Sequence, residues 1–268
     1  MTTKEKKLAR ILRRAGKMIR RADLSGGGVF RKGEDPANLV TVYDKAVQDY
    51  LEGAILRLYP EAVFMAEEQE NDPAVLAADC CFAIDPIDGT ANFVHGLARS
   101  VISVAMLSRG VTAMGAVYDP YTDDLYFATL GGGAFLNGRP IHVADRAPKE
   151  GMTAFGTTPY EKEANSAATF ALAEALCLKT RDVRRFGAAA LDLAYVAAGR
   201  CDMFFEMKLS PWDIAAGLLL VTEAGGRVSD INGAPPKLGD RVSVLAASPA
   251  CYDFLLAEAR AVTERVAR

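Results

Sequence analysis

Two acidic residues follow an apolar segment at Asp85-Pro86-Ile87-Asp88 and carry the first chemical signal in the sequence. Burial of unpaired like charges is costly, so a bound cation is the simplest explanation for both carboxylates. Pro86 fixes one backbone angle and has no N–H, and the turn that it starts leaves the carbonyl of Ile87 available as a further hard oxygen ligand. These residue types at this spacing predict a divalent cation held by oxygen atoms.

The next residues, Gly89 and Thr90, add a site for an anion. Their N–H groups lie at what the pattern indicates is a helix N-terminus, where a phosphate group binds well. A purely structural interpretation is also open, in which Asp88 caps the following helix and Asp85 forms an ion pair. Taken alone, the stretch favours the structural interpretation.

Further acids shift the interpretation from a structural role toward a cation site, because they also border apolar segments. Glu67 and Glu68 follow a short apolar run, and Asp213 stands just before a long one. Singly, Asp213 is an ordinary helix cap and the two glutamates are an ordinary loop start. Together with Asp85 and Asp88 they form an oxygen-rich set that suits Mg²⁺ better than zinc, since no cysteine or histidine accompanies them.

The segments that must position these acids show two kinds of periodicity. Apolar residues at three- and four-residue spacing predict an amphipathic N-terminal helix, and a second helix follows near 42–58. Short strands in an antiparallel meander are then predicted at 62–66, 80–84, 101–107, 111–118, 124–128 and 133–136. After about residue 150 strands and helices alternate. We expect an N-terminal α+β lobe at 1–150 with most of the metal ligands, and a C-terminal α/β lobe at 151–268 that supplies Asp213 and Glu206.

Composition limits the class of protein. The chain has 268 residues, 50% of them hydrophobic, and a formal net charge of -3. These values describe a soluble globular protein with an ample core. Its five cysteines include no C-x-x-C pair, which favours reduced, mostly buried thiols over a disulfide framework or a zinc site. No apolar run reaches signal-peptide or transmembrane length without a charge, so we expect a cytoplasmic protein.

The predicted N-terminal helix has one strongly basic face, formed by Lys4, Lys6, Lys7, Arg10, Arg13, Arg14, Lys17, Arg20 and Arg21. A charged helix face is usually only solvated, and the whole chain is slightly acidic, so we favour that interpretation. A regulatory role, in which this face binds RNA or an acidic protein, stays open as an alternative.

Three motifs, in one order over almost the whole chain, resemble the signatures of the inositol monophosphatase family. They are Glu67-Glu68, the run from Asp85 to Gly96, and Trp212-Asp213 with the Gly225-Gly226 pair beyond it. The resemblance implies an α/β fold, the five-layered αβαβα sandwich of the inositol monophosphatase and fructose-1,6-bisphosphatase type. It also implies a homodimer and Mg²⁺-dependent, Li⁺-sensitive hydrolysis of small phosphate monoesters.

Carried over by position, the resemblance implies the metal ligands. Glu67, Asp85 and the carbonyl of Ile87 match the ligands of a first metal, and Asp85, Asp88 and Asp213 match those of a second. A third, more weakly held metal lies near Glu67 in the family. Two or three Mg²⁺ ions per active site are therefore implied.

The resemblance also implies a catalytic set of Asp44, Glu67 and Thr90. Asp44 and Thr90 match the pair that orients and deprotonates the attacking water. The expected mechanism is direct in-line attack by a metal-activated water, with no phosphoenzyme.

The substrate-binding positions follow in the same way. The N–H groups of Gly89 and Thr90 are expected to hold the phosphate, and Asp88, the backbone of Ala189 and Glu206 match groups that contact the alcohol. We expect myo-inositol 1-phosphate as the substrate. Histidinol phosphate, fructose 1,6-bisphosphate or a broad range of sugar and polyol phosphates stay open as alternatives.

Some positions depart from the family pattern. Ala188 replaces a frequent Ser or Thr, Gln69 stands where Ser is common, and Gly33 aligns with the family's flap lysine, with Lys32 beside it. None of these changes removes a predicted metal ligand.

Overall fold

A computed structural model describes residues 2–25, 27–32, 39–158 and 161–266. Its first layer contains two helices, α1 (Thr3–Arg20) and α2 (Val42–Leu56). Each begins with a capping box, formed by Thr2 with Glu5 and by Thr41 with Asp44. The apolar stripe of α1 is buried as its spacing predicts, and the basic side chains lie on the opposite face.

The second layer is a seven-stranded sheet whose order follows the sequence. Its strands are β3 (Val63–Ala66), β4 (Cys81–Asp88), β5 (Val101–Ser108), β6 (Val111–Asp119), β7 (Asp124–Thr129), β8 (Gly133–Leu136) and β9 (Arg139–Pro140). The meander prediction is correct from β4 onward but wrong for β3, which pairs with β4 in parallel. The connection between them includes a 3-10 helix at Pro73–Ala77, which gives the crossover length that a parallel pair requires.

A second, five-stranded sheet forms in the C-terminal half. Its order is β11 (Asp182–Arg184), β10 (Met152–Phe155), β12 (Met203–Leu209), β14 (Val242–Ala247) and β13 (Arg227–Ser229). The helices of this half are α4 (Lys162–Lys179), α5 (Ala189–Ala197), α6 (Pro211–Glu223) and α7 (Pro249–Val266). Three smaller elements complete the description: the antiparallel pair β1 (Val29–Arg31) and β2 (Leu39–Thr41), and the short helix α3 (Thr90–Val94).

Three buried clusters fix the order of the layers. Helices α1 and α2 pack on one face of the seven-stranded sheet, α5 and α6 fill the space between the two sheets, and α4 and α7 cover the far face of the five-stranded sheet. Phe204 and Phe205 illustrate the alternation, since the first faces α5 and α6 and the second faces α4 and α7. The expected five-layered αβαβα fold is confirmed.

The two sheets share the central helix layer, which joins both halves of the chain. We propose residue 150 as the boundary between the two lobes, because the first sheet ends at Pro140 and the second begins at Met152.

Among the described residues, no helix is long and apolar enough to cross a bilayer. All five cysteines are unpaired, and only Cys177 is exposed.

Candidate active site

A β-bulge in strand β4 places Asp85 and Asp88 at the site. Strand β4 pairs with β5 as far as Asp85 opposite Ser103 and resumes at Asp88 opposite Val101, so β4 carries one extra residue. The N–H of Ile87 donates to Oδ1 of Asp85 at 3.0 Å. The carbonyl oxygen of Ile87 lies 3.1 Å from Oγ1 of Thr90 and has lone pairs available for another partner.

Asp88 does cap a helix, but not the one that follows it in sequence. Its Oδ1 accepts the N–H of Ala189 at 3.1 Å and its Oδ2 accepts the N–H of Ala190 at 2.7 Å, at the N-terminus of α5. Helix α3 has Gly89 as its N-cap instead, and the φ of 88° at this position favours glycine. A Cβ at Gly89 would lie 3.0 Å from the carbonyl oxygen of Arg99. The bulge therefore brings α3 and α5 to the same edge of the sheet.

Asp213 reaches the site from the first turn of α6. The prediction that Asp213 is the helix cap is wrong, because the N-cap is Ser210 and Asp213 is the third residue of the helix. As part of a capping box, Oδ2 of Asp213 accepts the N–H of Ser210 at 2.7 Å. The carbonyl of Trp212 accepts the hydroxyl of Ser103 at 3.1 Å, which ties this turn to β5. Asp213 thus belongs to the second half of the chain but faces acids of the first.

Asp44 and Thr90 form the predicted pair. Oγ1 of Thr90 lies 3.2 Å from Oδ1 of Asp44. The other carboxylate oxygen, Oδ2, accepts the backbone N–H of Thr41 at 2.7 Å and its hydroxyl at 2.5 Å. Burial raises the pKa of Asp44, and the hydrogen bonds from Thr41 oppose that shift. One oxygen is therefore fixed by the helix cap while the other faces Thr90.

The glutamate pair binds a lysine. Nζ of Lys32 lies 3.0 Å from Oε1 of Glu67 and 2.5 Å from Oε1 of Glu68. Burial and the charge of Glu67 raise the pKa of Glu68 to about 7. The predicted flap position Gly33 lies outside the described residues, and the neighbouring Lys32 reaches the site.

The acids are close enough to disfavour one another's charge. Burial raises the pKa of Asp85 well above its ordinary value, and Glu67, Asp88 and Asp213 add to that shift. Burial and the charge of Glu67 act on Asp213 in the same direction. Burial also raises the pKa of Asp88 to about 7. Such a cluster is stable in its ionised form only when cations lie among the carboxylates.

The donor set fits Mg²⁺ in an open site. Within the described ranges, no group of three or more His, Cys, Asp or Glu side chains is placed to hold a metal ion. Mg²⁺ does not require such a group, because it is usually held by one or two carboxylates together with waters and substrate phosphate. Glu67, Asp85, Asp88 and Asp213 supply only oxygen atoms, and all four line one cavity.

That cavity has a volume of about 290 Å³ and contains the predicted substrate-binding residues Asp88, Gly89, Thr90, Ala189 and Glu206. Oε1 of Glu206 accepts the N–H of Thr158 at 2.8 Å, and burial raises the pKa of Glu206 to about 7. A Cβ at Gly156 would lie 1.8 Å from Oε2 of Glu206, so a larger residue there would displace the Glu206 carboxyl from its place in the cavity. The N–H of Ala189 already donates to Asp88, which makes its predicted contact with substrate indirect.

Comparison with known proteins shows which family the chain belongs to. The family model described as "Inositol monophosphatase family" matches residues 3–264. The chain belongs to the inositol monophosphatase family. Two similar relatives are the "Nus factor SuhB" of Pseudomonas aeruginosa, 37% identical with 92% of each chain covered, and the "Inositol-1-monophosphatase" of Mesorhizobium japonicum, 38% identical with 82% of each covered. The solved structure of an IMPase from Thermotoga maritima is 33% identical, with a TM-score of 0.85 and coverage of 96% of this chain and 97% of that one.

The cavity of this inositol monophosphatase family member also contains an acid that sequence analysis did not predict. Asp192 on α5 is 1% exposed, and no described residue donates a hydrogen bond to either of its carboxyl oxygens. Burial raises its pKa well above the ordinary value, and Glu206 adds to the shift. The available signal was one acid inside an otherwise apolar helix, since Asp192 is flanked by Leu191 and Leu193.

Three other basic residues that line the cavity, Arg185, Lys208 and Arg241, were not predicted as site residues. They come from three separate segments, and no motif in the sequence joins them.

Proposed function

We propose that this chain hydrolyses small polyol phosphate monoesters in a Mg²⁺-dependent reaction, with myo-inositol 1-phosphate as a substrate. Membership of a phosphatase family supports the reaction class. The observation that carries the proposal is that Glu67, Asp85, Asp88 and Asp213 line one cavity with Thr90, whose hydroxyl oxygen lies 3.2 Å from Oδ1 of the buried Asp44. The proposal also includes Li⁺ sensitivity and a homodimeric state, which the family resemblance favours. It includes a cytoplasmic location, which the reduced cysteines favour.

The metal site in this proposal consists of the four carboxylates and the carbonyl of Ile87. Bound divalent cations supply Lewis-acid chemistry, which activates a water and stabilises charge on the leaving oxygen. The residues of the chain keep the acids in place: Ser210 fixes Asp213, and the N-terminus of α5 fixes Asp88.

Proton transfer is assigned to Asp44 and Thr90. Thr90 donates its hydroxyl to Asp44, so its oxygen lone pairs can accept a hydrogen bond from the attacking water. The proton of that water passes through Thr90 to Asp44, whose pKa is raised by burial and therefore suits a base. The N–H groups of Gly89 and Thr90 are assigned to the phosphate oxygens.

Glu206 is assigned to the alcohol. One of its oxygens is fixed by Thr158, and the carboxyl lies in the cavity wall. A site built to hydrogen-bond hydroxyl groups discriminates strongly against an analogue that lacks them.

A matched pair of esters tests the proposed activity. We expect Mg²⁺-dependent phosphate release from myo-inositol 1-phosphate with a kcat/KM at least about 100-fold above that for cyclohexyl phosphate, which has the same ring without the hydroxyls. Histidinol phosphate serves as the third substrate. A higher kcat/KM for histidinol phosphate would favour that alternative, and equal values for the two ring esters would contradict a polyol site.

We infer a second candidate function from the basic face of α1. Its side chains at Lys4, Lys6, Lys7, Arg10, Arg14, Lys17, Arg20 and Arg21 are exposed, and the Pseudomonas aeruginosa relative is named a Nus factor. Among the described residues that line the cavity, none belongs to α1. A binding role for this face is therefore separable from phosphatase activity.

Neutralisation of the basic face tests RNA binding. Arg13 is unsuitable because its Nε pairs with Asp123 at 3.1 Å, so Arg14, Arg20 and Arg21 are replaced together by Gln. We expect a loss of about tenfold or more in affinity for a structured RNA at low salt, and a shallower salt dependence, while phosphate release is unchanged. The matched control replaces Arg139, Lys149 and Lys162, which are exposed and lie on other surfaces. Equal affinities of the wild type and the triple variant would exclude this function for α1.

A further inference from the structure

Thr158 and Asp192 line the active-site cavity, and their side-chain oxygens have no hydrogen-bond partner among the described residues. Thr158 is 3% exposed and Asp192 is 1% exposed. A buried polar group without a partner costs free energy, so the large majority of such groups in folded proteins are paired. Two of them in the wall of one cavity indicate a ligand that supplies the missing hydrogen bonds.

Asp192 lies on the side of α5 that is turned toward the cavity. It follows Ala188 by four residues and Ala189 by three, so the three residues share one side of the helix, and all of them line the cavity. Ala188 has no side-chain hydroxyl that could donate to Asp192. Both carboxyl oxygens are therefore available to a donor in the cavity.

Thr158 is held beside Glu206. Its N–H donates to Oε1 of Glu206 at 2.8 Å, and its φ is 45°. A positive φ is an outlier for a β-branched residue and persists only where the surroundings hold it. The hydroxyl of Thr158, which can both donate and accept a hydrogen bond, is thereby kept at the Glu206 side of the cavity.

These groups suit the hydroxyls of a polyol better than a phosphate or an amine. Asp192 and Glu206 are acids and repel a phosphate, whereas an alcohol hydroxyl donates a charge-assisted hydrogen bond to a carboxylate. An ammonium group only donates, so it would leave the hydroxyl proton of Thr158 unpaired, whereas an alcohol oxygen accepts it. Because both side chains are nearly covered, only a small group such as a hydroxyl can reach them.

We propose that Thr158 and Asp192 are specificity-determining residues which, together with Glu206, bind the hydroxyl groups of the alcohol portion of the substrate. The chain then selects phosphates of polyols with several hydroxyls over phosphates of simple alcohols. This inference rests on the proposed phosphatase function and adds two residues to its substrate site. The alternative is that the two side chains are unpaired and have no part in substrate binding.

Myo-inositol 1-phosphate and cyclohexyl phosphate form a matched pair of probes, since only the first has ring hydroxyls. The measured quantity is the ratio of their kcat/KM values. Thr158→Val keeps the shape of threonine without the hydroxyl, and Asp192→Leu keeps the branched shape of aspartate without its oxygens. Each is expected to lower the ratio by about tenfold, mainly through the KM of the inositol ester, because each removes a hydrogen bond to substrate.

Two further variants separate substrate binding from structure. Thr158→Ser keeps the hydroxyl and should keep the ratio within about threefold of the wild type, with some loss because serine is less restricted at χ1. Thr169→Val is the matched control. Thr169 is also fully buried, with no partner for its hydroxyl among the described residues, but it lies on α4 outside the cavity lining. This control should leave the ratio at the wild-type value.

Thermal melting without substrate provides a readout that a structural role would move in the opposite direction. Asp192→Leu replaces an unpaired buried carboxyl by an apolar group between Leu191 and Leu193. We therefore expect this variant to melt above the wild-type temperature. A lower melting temperature with an unchanged ratio would show that Asp192 supports the fold, and would overturn its assignment to the substrate.

Failure of this inference is distinguishable from failure of the proposed function. Hydrolysis of myo-inositol 1-phosphate with a ratio that neither Thr158→Val nor Asp192→Leu lowers would overturn the inference alone. A larger loss for histidinol phosphate than for myo-inositol 1-phosphate in Asp192→Leu would also overturn it, because that result assigns Asp192 to an ammonium group.

No hydrolysis of any ester, in contrast, would overturn the proposed function. Calorimetric binding of myo-inositol 1-phosphate to the wild type, Thr158→Val and Asp192→Leu then decides the inference. Weaker binding by both variants would support it, and equal affinities of the three proteins would overturn it.

Discussion

Replacement of Asp85 by Asn is expected to reduce Mg²⁺-dependent phosphate release by about 1,000-fold or more, because the site loses the carboxylate assigned to both metal ions. The protein should stay folded. Asn has nearly the same shape, and its side-chain oxygen can still accept the N–H of Ile87, which donates to Asp85 at 3.0 Å in the wild type. Initial rates on myo-inositol 1-phosphate at saturating Mg²⁺ measure the effect.

Melting temperatures separate loss of metal from loss of fold. In EDTA the Asp85→Asn protein should melt at or above the wild-type temperature, because one buried like charge has been removed from beside Glu67, Asp88 and Asp213. Added Mg²⁺ should stabilise the wild type and have much less effect on the variant. Asp79→Asn is the control, since Asp79 pairs with Arg109 on the surface. Wild-type turnover by Asp85→Asn would show that the metal assignment is wrong.

Thr90→Ala is expected to lower kcat by about 100-fold to 10,000-fold, the range typical of a lost proton-transfer group. Its hydroxyl lies 3.2 Å from Oδ1 of Asp44 and 3.1 Å from the carbonyl of Ile87, so the substitution removes the link between the base and the attacking water. The Mg²⁺-induced rise in melting temperature should remain, because the carboxylates are intact. This combination distinguishes Thr90→Ala from Asp85→Asn.

Two further variants test the pair. Thr90→Ser keeps the hydroxyl and should retain activity within about tenfold of the wild type, with some loss because serine is less restricted at χ1. Asp44→Asn should lose about as much kcat as Thr90→Ala, and the double variant little more, since groups that act as one unit are not additive. A Thr90→Ala enzyme with wild-type kcat would exclude this proton path.

Local patterns in the sequence predict most of the elements of this fold. The apolar spacing of α1 and the alternation of Phe204 and Phe205 correspond to the faces that are buried. The direction of β3 was not predictable in this way, because a short apolar strand has the same pattern in a parallel and an antiparallel pair. The order of the five layers came from the family resemblance, since periodicity does not say which face of a sheet a helix covers.

The site was predictable where its residues are close in sequence. Asp85 and Asp88 could be recognised from the sequence, because both follow directly after an apolar strand. Asp44 has no comparable signal, since its contact with the backbone of Thr41 explains it fully as part of a helix cap, and only the resemblance assigned it to the site. The contact between Asp88 and Ala190 spans 102 residues, and no local rule predicts it.

The roles of Asp192 and of the basic residues that line the cavity could not be predicted from the sequence. A lone acid in an apolar helix is a visible signal, but its meaning depends on whether a partner lies nearby, and Asp192 has no hydrogen-bond donor among the described residues. In the sequence, Lys208 and Arg241 have the pattern of ordinary surface charges. Only the fold shows that both pair with Glu161 and that both line the cavity.

Phosphate release from myo-inositol 1-phosphate as a function of Mg²⁺ concentration tests the metal-dependent reaction most directly. Rates should rise with Mg²⁺ to saturation, fall to background in EDTA, and recover when Mg²⁺ is restored to the same sample. Equal rates with EDTA and with Mg²⁺, or no release from any small polyol phosphate at saturating Mg²⁺, would contradict a metal-dependent phosphatase built on Glu67, Asp85, Asp88 and Asp213.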